Sequence, residues 1–167
     1  MQICPAKPGD ANWLQDSFAV GLNWRKPAGY FQGVLDEQAA GALILLLALE
    51  AGDYLGHCKL VWSPDYAGFR ERGIPEIQDL NVIRSRRRIG VASRLLDEAE
   101  ARIARRSRLA GIGFGLYADY GAAQRLYILR GYVPDGQGAH YFGEPLPPGA
   151  TCALDDNLAL YLVKQLR

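Results

Sequence analysis

The stretch from Glu76 to Ile103 limits what this chain can become more than any other. An apolar run, a basic turn, a glycine and an amphipathic helix follow there in that order. Residues 76–83 read as a central strand, and Arg84-Ser85-Arg86-Arg87-Arg88 is the turn. In the helix that Gly90 opens, Ala92, Leu95, Leu96, Ala99 and Ile103 share one face. Arg94, Asp97, Glu98, Arg102 and Arg105 share the other, with Glu98 and Arg102 four apart in the favourable order. The first N–H groups of such a helix have no intrahelical acceptor and carry the positive end of its dipole, so they form an anion site. Gly90 and Ala92 put little bulk over it. Guanidinium groups at the rim add forked donors suited to phosphate oxygens. The segment reads as a cradle for a pyrophosphate, against the plainer alternative of a solvated arginine turn. It is neither a G-x-x-x-x-G-K-[ST] loop nor a G-x-G-x-x-G after a first strand, so its phosphate ligand belongs to another class.

Around this segment the chain alternates between strand and helix patterns. Residues 2–6 read as a strand closed by Pro8, and Asp10 as the N-cap of a helix that turns Trp13, Leu14 and Phe18 toward the core. Tyr30, Phe31, Val34 and Leu35 have helical spacing within residues 27–40. Residues 43–50 and 54–62 flank Ala51-Gly52-Asp53 as a hairpin. Residues 63–75 read as a Pro- and Gly-rich loop, 111–117 as a strand, and 121–130 as a helix stopped by Gly131. Strands around 139–142 and 158–163 close the pattern. With no repeat or linker, residues 1–167 are expected to form a single α+β (α/β) domain with a mixed sheet flanked by helices.

Composition removes several functions. A formal charge of +1 gives no global pull toward nucleic acid or anionic membranes. Cys4, Cys58 and Cys152 are far apart and have no zinc or disulfide spacing, so free thiols in a reducing cytosol are expected, with Cys58 and Cys152 as small core residues. His57 and His140 are equally isolated, and no metal site is expected. The first ten residues lack a secretory apolar region, and the longest apolar run, residues 42–49, is too short to cross a bilayer. The expectation is a cytoplasmic protein with neither nucleic-acid nor membrane partners.

Two motifs resemble the GNAT N-acetyltransferase superfamily. Arg87-Arg88-Ile89-Gly90-Val91-Ala92 matches its R/Q-x-x-G-x-G/A acetyl-CoA loop, placed after a strand of the form I-x-x-L-x-V at Ile77, Leu80 and Val82. Downstream, residues 123–132 resemble its second signature, A-x-x-L-Y-x-x-x-G-[FY], with Ala123, Leu126, Tyr127, Gly131 and Tyr132. The clear match covers roughly residues 74–133. Many relatives carry Asn three residues before that Ala, where this chain has Tyr120. The resemblance implies a mostly antiparallel central sheet whose fourth and fifth strands splay apart to hold acetyl-CoA as co-substrate. The pantetheine arm would bond the backbone of Leu80, Asn81 and Val82. The pyrophosphate would fall on Arg88, Ile89, Gly90, Val91, Ala92 and Ser93, and Arg87 or Arg125 would meet the adenosine 3′-phosphate.

The chemistry expected is direct acetyl transfer to a primary amine through a tetrahedral intermediate. An alkyl amine has a pKa near ~10.4 and arrives protonated, so a base is needed. Glu76, at the start of the central strand, is the first candidate, against a solvated strand-end carboxylate. Asp79 is the second, on the opposite pleat unless the strand is bulged. A strand-four N–H at Asn81 or Val82 would face the oxyanion. The resemblance gives Tyr127 the role of general acid toward the thiolate, with further contact to the cofactor. Its alternative is a ring packed at a helix end. The acceptor side offers Trp24, Tyr30, Phe31, Trp62, Tyr66, Phe69, Tyr141 and Phe142, with Asp36, Glu37, Asp65, Asp155 and Asp156. Aromatic rings and carboxylates suit a cationic small-molecule amine. The competing readings are a protein lysine or N-terminal acetyltransferase, a non-catalytic acyl-CoA-binding module, and nucleic-acid binding through the arginines. Relatives are often dimers, so the resemblance allows a homodimer.

Overall fold

The computed structural model of the protein describes residues 1–166. In chain order its elements are β1 (Gln2–Pro5), α1 (Ala11–Leu22), α2 (Tyr30–Ala39), β2 (Leu43–Glu50), β3 (Asp53–Val61), α3 (Ala67–Arg70) and β4 (Glu76–Val82). After them come α4 (Val91–Ile103), β5 (Leu109–Gly115), α5 (Gly121–Leu129), β6 (Val133–Tyr141), β7 (Glu144–Pro145) and β8 (Leu158–Gln165). The chain divides into two compact units, Met1–Trp62 with Ile77–Arg102, and Ser63–Glu76 with the chain from Ile103 onward.

In the first unit the strands lie in the order β1-β2-β3-β4. The β2–β3 hairpin pairs Glu50 with Asp53, and its two turn residues, Ala51 and Gly52, both have positive φ. That is the turn whose twist matches paired strands. Leu43, Leu45 and Leu47 share one face of β2 and pack with Leu14, Phe18 and Leu22 of α1 and Phe31, Val34 and Leu35 of α2. Leu46 and Ala48, on the opposite pleat, are fully buried as well, so β2 is an interior strand and carries almost no polar residue. The stripe of α4 is buried at Leu95, Leu96, Ala99 and Ile103, as its periodicity predicts, and Arg102 bonds Glu98 at 2.7 Å.

In the second unit the order is β5-β8-β6-β7. β8 pairs antiparallel with both β5 and β6. The β6–β8 register breaks between Pro134 and Ala139, where Gly136 and Gly138 have positive φ. A short core of Tyr66, Phe69 and Ile74 packs with Leu109, Tyr161 and Val163. Helix α5 ends as a Schellman motif: Tyr132 N–H donates to Tyr127 C=O and Gly131 N–H to Ile128 C=O.

Several expectations are corrected. Asp10 does not cap α1 through its side chain; its carboxylate instead accepts the N–H of Lys7 at 2.7 Å. Trp13 is 38% exposed rather than in the core, where Leu14 and Phe18 of the same helix are fully buried. The second helix starts at Tyr30, after Gly29 in the left-handed region, and not at residue 27. The loop at 63–75 contains the single turn α3, and the fifth strand starts at Leu109, two residues early. Cys152 is only half-buried, whereas Cys58 is fully buried.

A Cβ on Gly56 of β3 would lie 2.3 Å from the backbone oxygen of Asn81 in β4. Backbone cannot swing away as a side chain can. Gly56→Ala should therefore destabilise the protein by about 1–3 kcal/mol, measured by urea unfolding.

Candidate active site

The arginine turn is short and exposed. Residues 84–86 form one 3-10 turn, and Arg88 (φ +65°) and Gly90 (φ +88°) are both left-handed. The Gly90 carbonyl accepts the N–H of Arg94 at 3.1 Å, which makes Gly90 the N-cap of α4. Ser, Thr, Asp or Asn at that position would turn a side-chain oxygen onto the first N–H groups. Glycine leaves them unscreened, and a Cβ built on Gly90 meets no atom within 4 Å. Among the described residues, Val91, Ala92 and Ser93 donate no backbone hydrogen bond outside the helix. The donor set suits a diphosphate: a bare helix start in a turn with four exposed guanidinium groups. The four arginines are not equivalent. Arg86 pairs with Glu50 at 3.2 Å, and Arg87 Nε donates to the Val82 carbonyl at 3.2 Å, folding back on the end of β4.

In the middle of β4, Asp79 is left-handed (φ +50°), so the strand departs from regular alternation there. Its carboxylate is the hub of a buried polar cluster. Oδ1 accepts Lys26 Nζ and Asn81 Nδ2, each at 2.7 Å. Oδ2 accepts the Tyr30 hydroxyl at 2.5 Å and His57 Nε2 at 3.1 Å. Four donors occupy the roughly four lone-pair positions that a carboxylate offers. With Nε2 donating to Asp79, His57 Nδ1 is left to accept the Tyr54 hydroxyl, 2.5 Å away. Burial alone would raise the Asp79 carboxyl, but the His57 hydrogen bond and the nearby positive charge, Lys26 included, outweigh it and hold the group well below the usual carboxylate range. Burial first, and then the Asp79 charge, push the Tyr30 and Tyr54 hydroxyls up, so both stay donors. The Lys26 ammonium also lies over the rings of Tyr30 at 4.6 Å and Trp24 at 5.0 Å.

In the second unit, Glu76 is buried, which removes its reading as a solvated strand-end carboxylate. Its Oε1 lies 3.5 Å from where a Gly113 Cβ would be. Tyr161 is pushed up to about 12 by burial and then by the Glu76 charge. Tyr127 is also buried, at the third position from the end of α5, with its ring tilted against Tyr132 (6.2 Å) and Phe114 (6.4 Å). Arg125 is exposed two residues earlier on the same helix. Among the expected acceptor residues, Phe31 and Phe69 are core, Trp24 and Phe142 are exposed, and Tyr141 donates to Asp155 at 3.2 Å. Tyr117 and Tyr120 both donate to Asp156. Among the described residues no group of His, Cys, Asp and Glu could hold a metal ion, and no helix is long and apolar enough to cross a membrane.

The sequence pattern of the acetyltransferase (GNAT) family matches residues 7–132, and the chain belongs to that family. A ribosomal-protein-alanine N-acetyltransferase from Brucella melitensis is similar in structure, with TM-score 0.70 at 18% identity over 99% of this chain and 100% of that one. A GNAT-family protein from Desulfovibrio desulfuricans has TM-score 0.72 at 16% identity, over 98% of each chain. An aminoglycoside 6′-N-acetyltransferase in complex with coenzyme A has TM-score 0.67 at 17% identity, over 99% of this chain and 97% of that one. No curated protein matches the chain by sequence. At these identities the likeness is one of fold: helices flanking mostly antiparallel strands. The family assignment makes the protein an acyltransferase with acetyl-CoA as its donor.

Sequence reasoning named Asp79 but missed Lys26, Tyr30 and His57 as its partners, and Tyr54 behind His57. The signal available was weak: an acidic residue in the middle of a central strand requires donors or a cation from elsewhere. A carboxyl held below its ordinary value contributes stability that is complete above about pH 5 and lost as pH falls below about 4. Asp79→Asn should therefore be clearly less stable than the natural protein at pH 7. The difference should narrow at pH 3, where the carboxyl of the unfolded chain takes up a proton while the folded one stays ionised; urea titrations at the two pH values read it.

Proposed function

We propose that the protein transfers the acetyl group of acetyl-CoA directly to a primary amine of a small molecule, with the whole chain acting as one N-acetyltransferase domain. The observation that carries this reading is the glycine-capped start of α4 beneath exposed arginines, which suits the diphosphate of coenzyme A. Arg88 to Ser93 bind there, with Arg87 or Arg125 toward the 3′-phosphate. The backbone of Leu80, Asn81 and Val82 offers amide partners to the pantetheine arm. The same stretch supplies the N–H for the oxyanion of the tetrahedral intermediate, at Asn81 or Val82.

Glu76 is the base of this proposal. Burial beside Gly113 and Tyr161 keeps it out of bulk water, where it can take a proton from an incoming ammonium directly or through one water. Asp79 is less suited, because all its lone pairs are engaged and its carboxyl is held low, which makes it a poor proton acceptor. Tyr127 Oη supplies the proton that the departing thiolate needs, since a phenol near ~10 can protonate a thiolate whose thiol is near ~8.5 when the contact is positioned. The preference for a small amine rests on the tyrosine–aspartate pairs at Asp155 and Asp156, where aromatic rings and carboxylates lie together. The aminoglycoside enzyme and the ribosomal-protein enzyme, both similar in fold, mark the two acceptor classes that a test must separate.

A thiol-release assay with acetyl-CoA against small amines, aminoglycosides and N-terminal peptides tests this, alongside melts with coenzyme A. A small amine should accelerate release and coenzyme A should raise the melting temperature; release driven by peptides alone would overturn the acceptor class. Tyr127→Phe and Glu76→Gln should each lower kcat by about 100-fold or more while coenzyme A still raises the melting temperature. Gly90→Val, which puts a β-branched side chain on a left-handed residue above the diphosphate site, should weaken coenzyme A binding at least about tenfold by calorimetry.

A further inference from the structure

We infer that Asp79 is a positioning residue: its buried cluster with Lys26, Tyr30, His57 and Tyr54 locks a left-handed kink into β4 and thereby sets the backbone of Leu80 to Val82. This rests on the assignment of that backbone to coenzyme A made above.

Three observations meet at this residue. First, a non-glycine side chain at φ +50° in mid-strand is unfavourable unless its surroundings determine it. Second, the surroundings do so: the carboxylate is gripped from α1's following loop by Lys26, from α2 by Tyr30 and from β3 by His57. His57 is itself held by Tyr54. Third, the segment after the kink is fixed from both sides. Asn81 Nδ2 donates back to the Asp79 carbonyl at 3.2 Å and to its carboxylate at 2.7 Å. The Asn81 carbonyl occupies the space that Gly56 leaves open, and Ile83 N–H donates to Leu55 C=O at 2.9 Å. The side chain holds the kink, and the kink aims the next three peptides. Asp79 touches no reacting atom in this account, and its engaged lone pairs leave it no proton to move.

A positioning role through the backbone has a signature that charge or catalysis lacks. Glycine adopts φ +50° without help, whereas alanine has lost the carboxylate and still meets the steric penalty. Asp79→Ala should weaken coenzyme A about tenfold by calorimetry and raise KM for acetyl-CoA more than it lowers kcat. Asp79→Gly should recover most of that loss, to within about threefold of the natural protein, although the protein melts lower. Equal weakening by Ala and Gly in folded proteins, checked by circular dichroism, would overturn the inference, as would an Ala variant that binds normally. Should the Ala variant fail to fold, Asp79→Asn decides the matter, because Asn also tolerates the left-handed region but carries no charge. Binding within about threefold supports the backbone role, and a loss beyond about tenfold overturns it. If the natural protein itself gives no heat with coenzyme A, the proposed function fails and this inference falls with it; a failed variant pattern beside a binding natural protein removes the inference alone.

Discussion

A carboxylate taken out of water must find its hydrogen bonds and its counter-charge inside the protein, and Asp79 finds both in side chains far from it in sequence. Lys26, Tyr30 and His57 come from three segments, and all converge on two oxygen atoms. Each donor would be costly alone in an apolar core, and so would the acid. Together they form a closed set that tolerates one backbone arrangement. The Leu-rich face of β2 and the aromatic rings of α1 and α2 enclose this set, but apolar contacts carry no direction that would single out the kink at Asp79. The polar cluster is what makes β4 specific, and β4 is the strand that leads into the arginine turn.

That division explains what the sequence could disclose. The turn at 84–88, the stripe on α4 and the Gly131 stop of α5 are local features, each decided by residues within one or two turns of the chain, and they were readable as such. The hairpin of β2 and β3 was readable too, from two apolar runs and a tight turn. The Asp79 cluster was not, because its bonds join residues 22, 49 and 53 positions apart. Nothing in the spacing of Lys26 or His57 marks either as a partner of a particular acid. The four residues of α3 are too few to show a helical period. The irregular pairing between Pro134 and Ala139 hid the first half of β6 by interrupting the alternation that identifies a strand.

The candidate site divides in the same way. Gly90 and Tyr127 stood out because short motifs surround them, and the structure supplies a physical reason for each motif. Gly90 is the N-cap, where any usual capping side chain would compete with a ligand for the same N–H groups. Tyr127 accepts from Tyr132 N–H and Arg130 N–H through its carbonyl, so the glycine and aromatic residue that follow it in the second signature fix the end of the helix that carries it. Glu76 had no motif. Its place at the start of β4 made it a candidate, but its burial is a property of the folded state and could not be read from the chain.

The departure at Tyr120 can be understood from the same local chemistry. Its ring lies in the space where a Cβ on Gly115 would be, with the closest ring atom at 2.5 Å from that position. Its hydroxyl donates to Asp156 at 3.0 Å, and burial followed by the Asp156 hydrogen bond pushes the phenol above its ordinary range. The Gly115 carbonyl, at the end of β5, accepts Gln124 Nε2 at 2.9 Å. An asparagine at position 120 would be too short to fill this space, and its amide would be free to turn toward a ligand. Tyrosine instead commits the position to closing the strand end and to holding the loop that carries Asp155 and Asp156. The position where many relatives carry Asn is thus used here to close the end of β5 and to hold that loop.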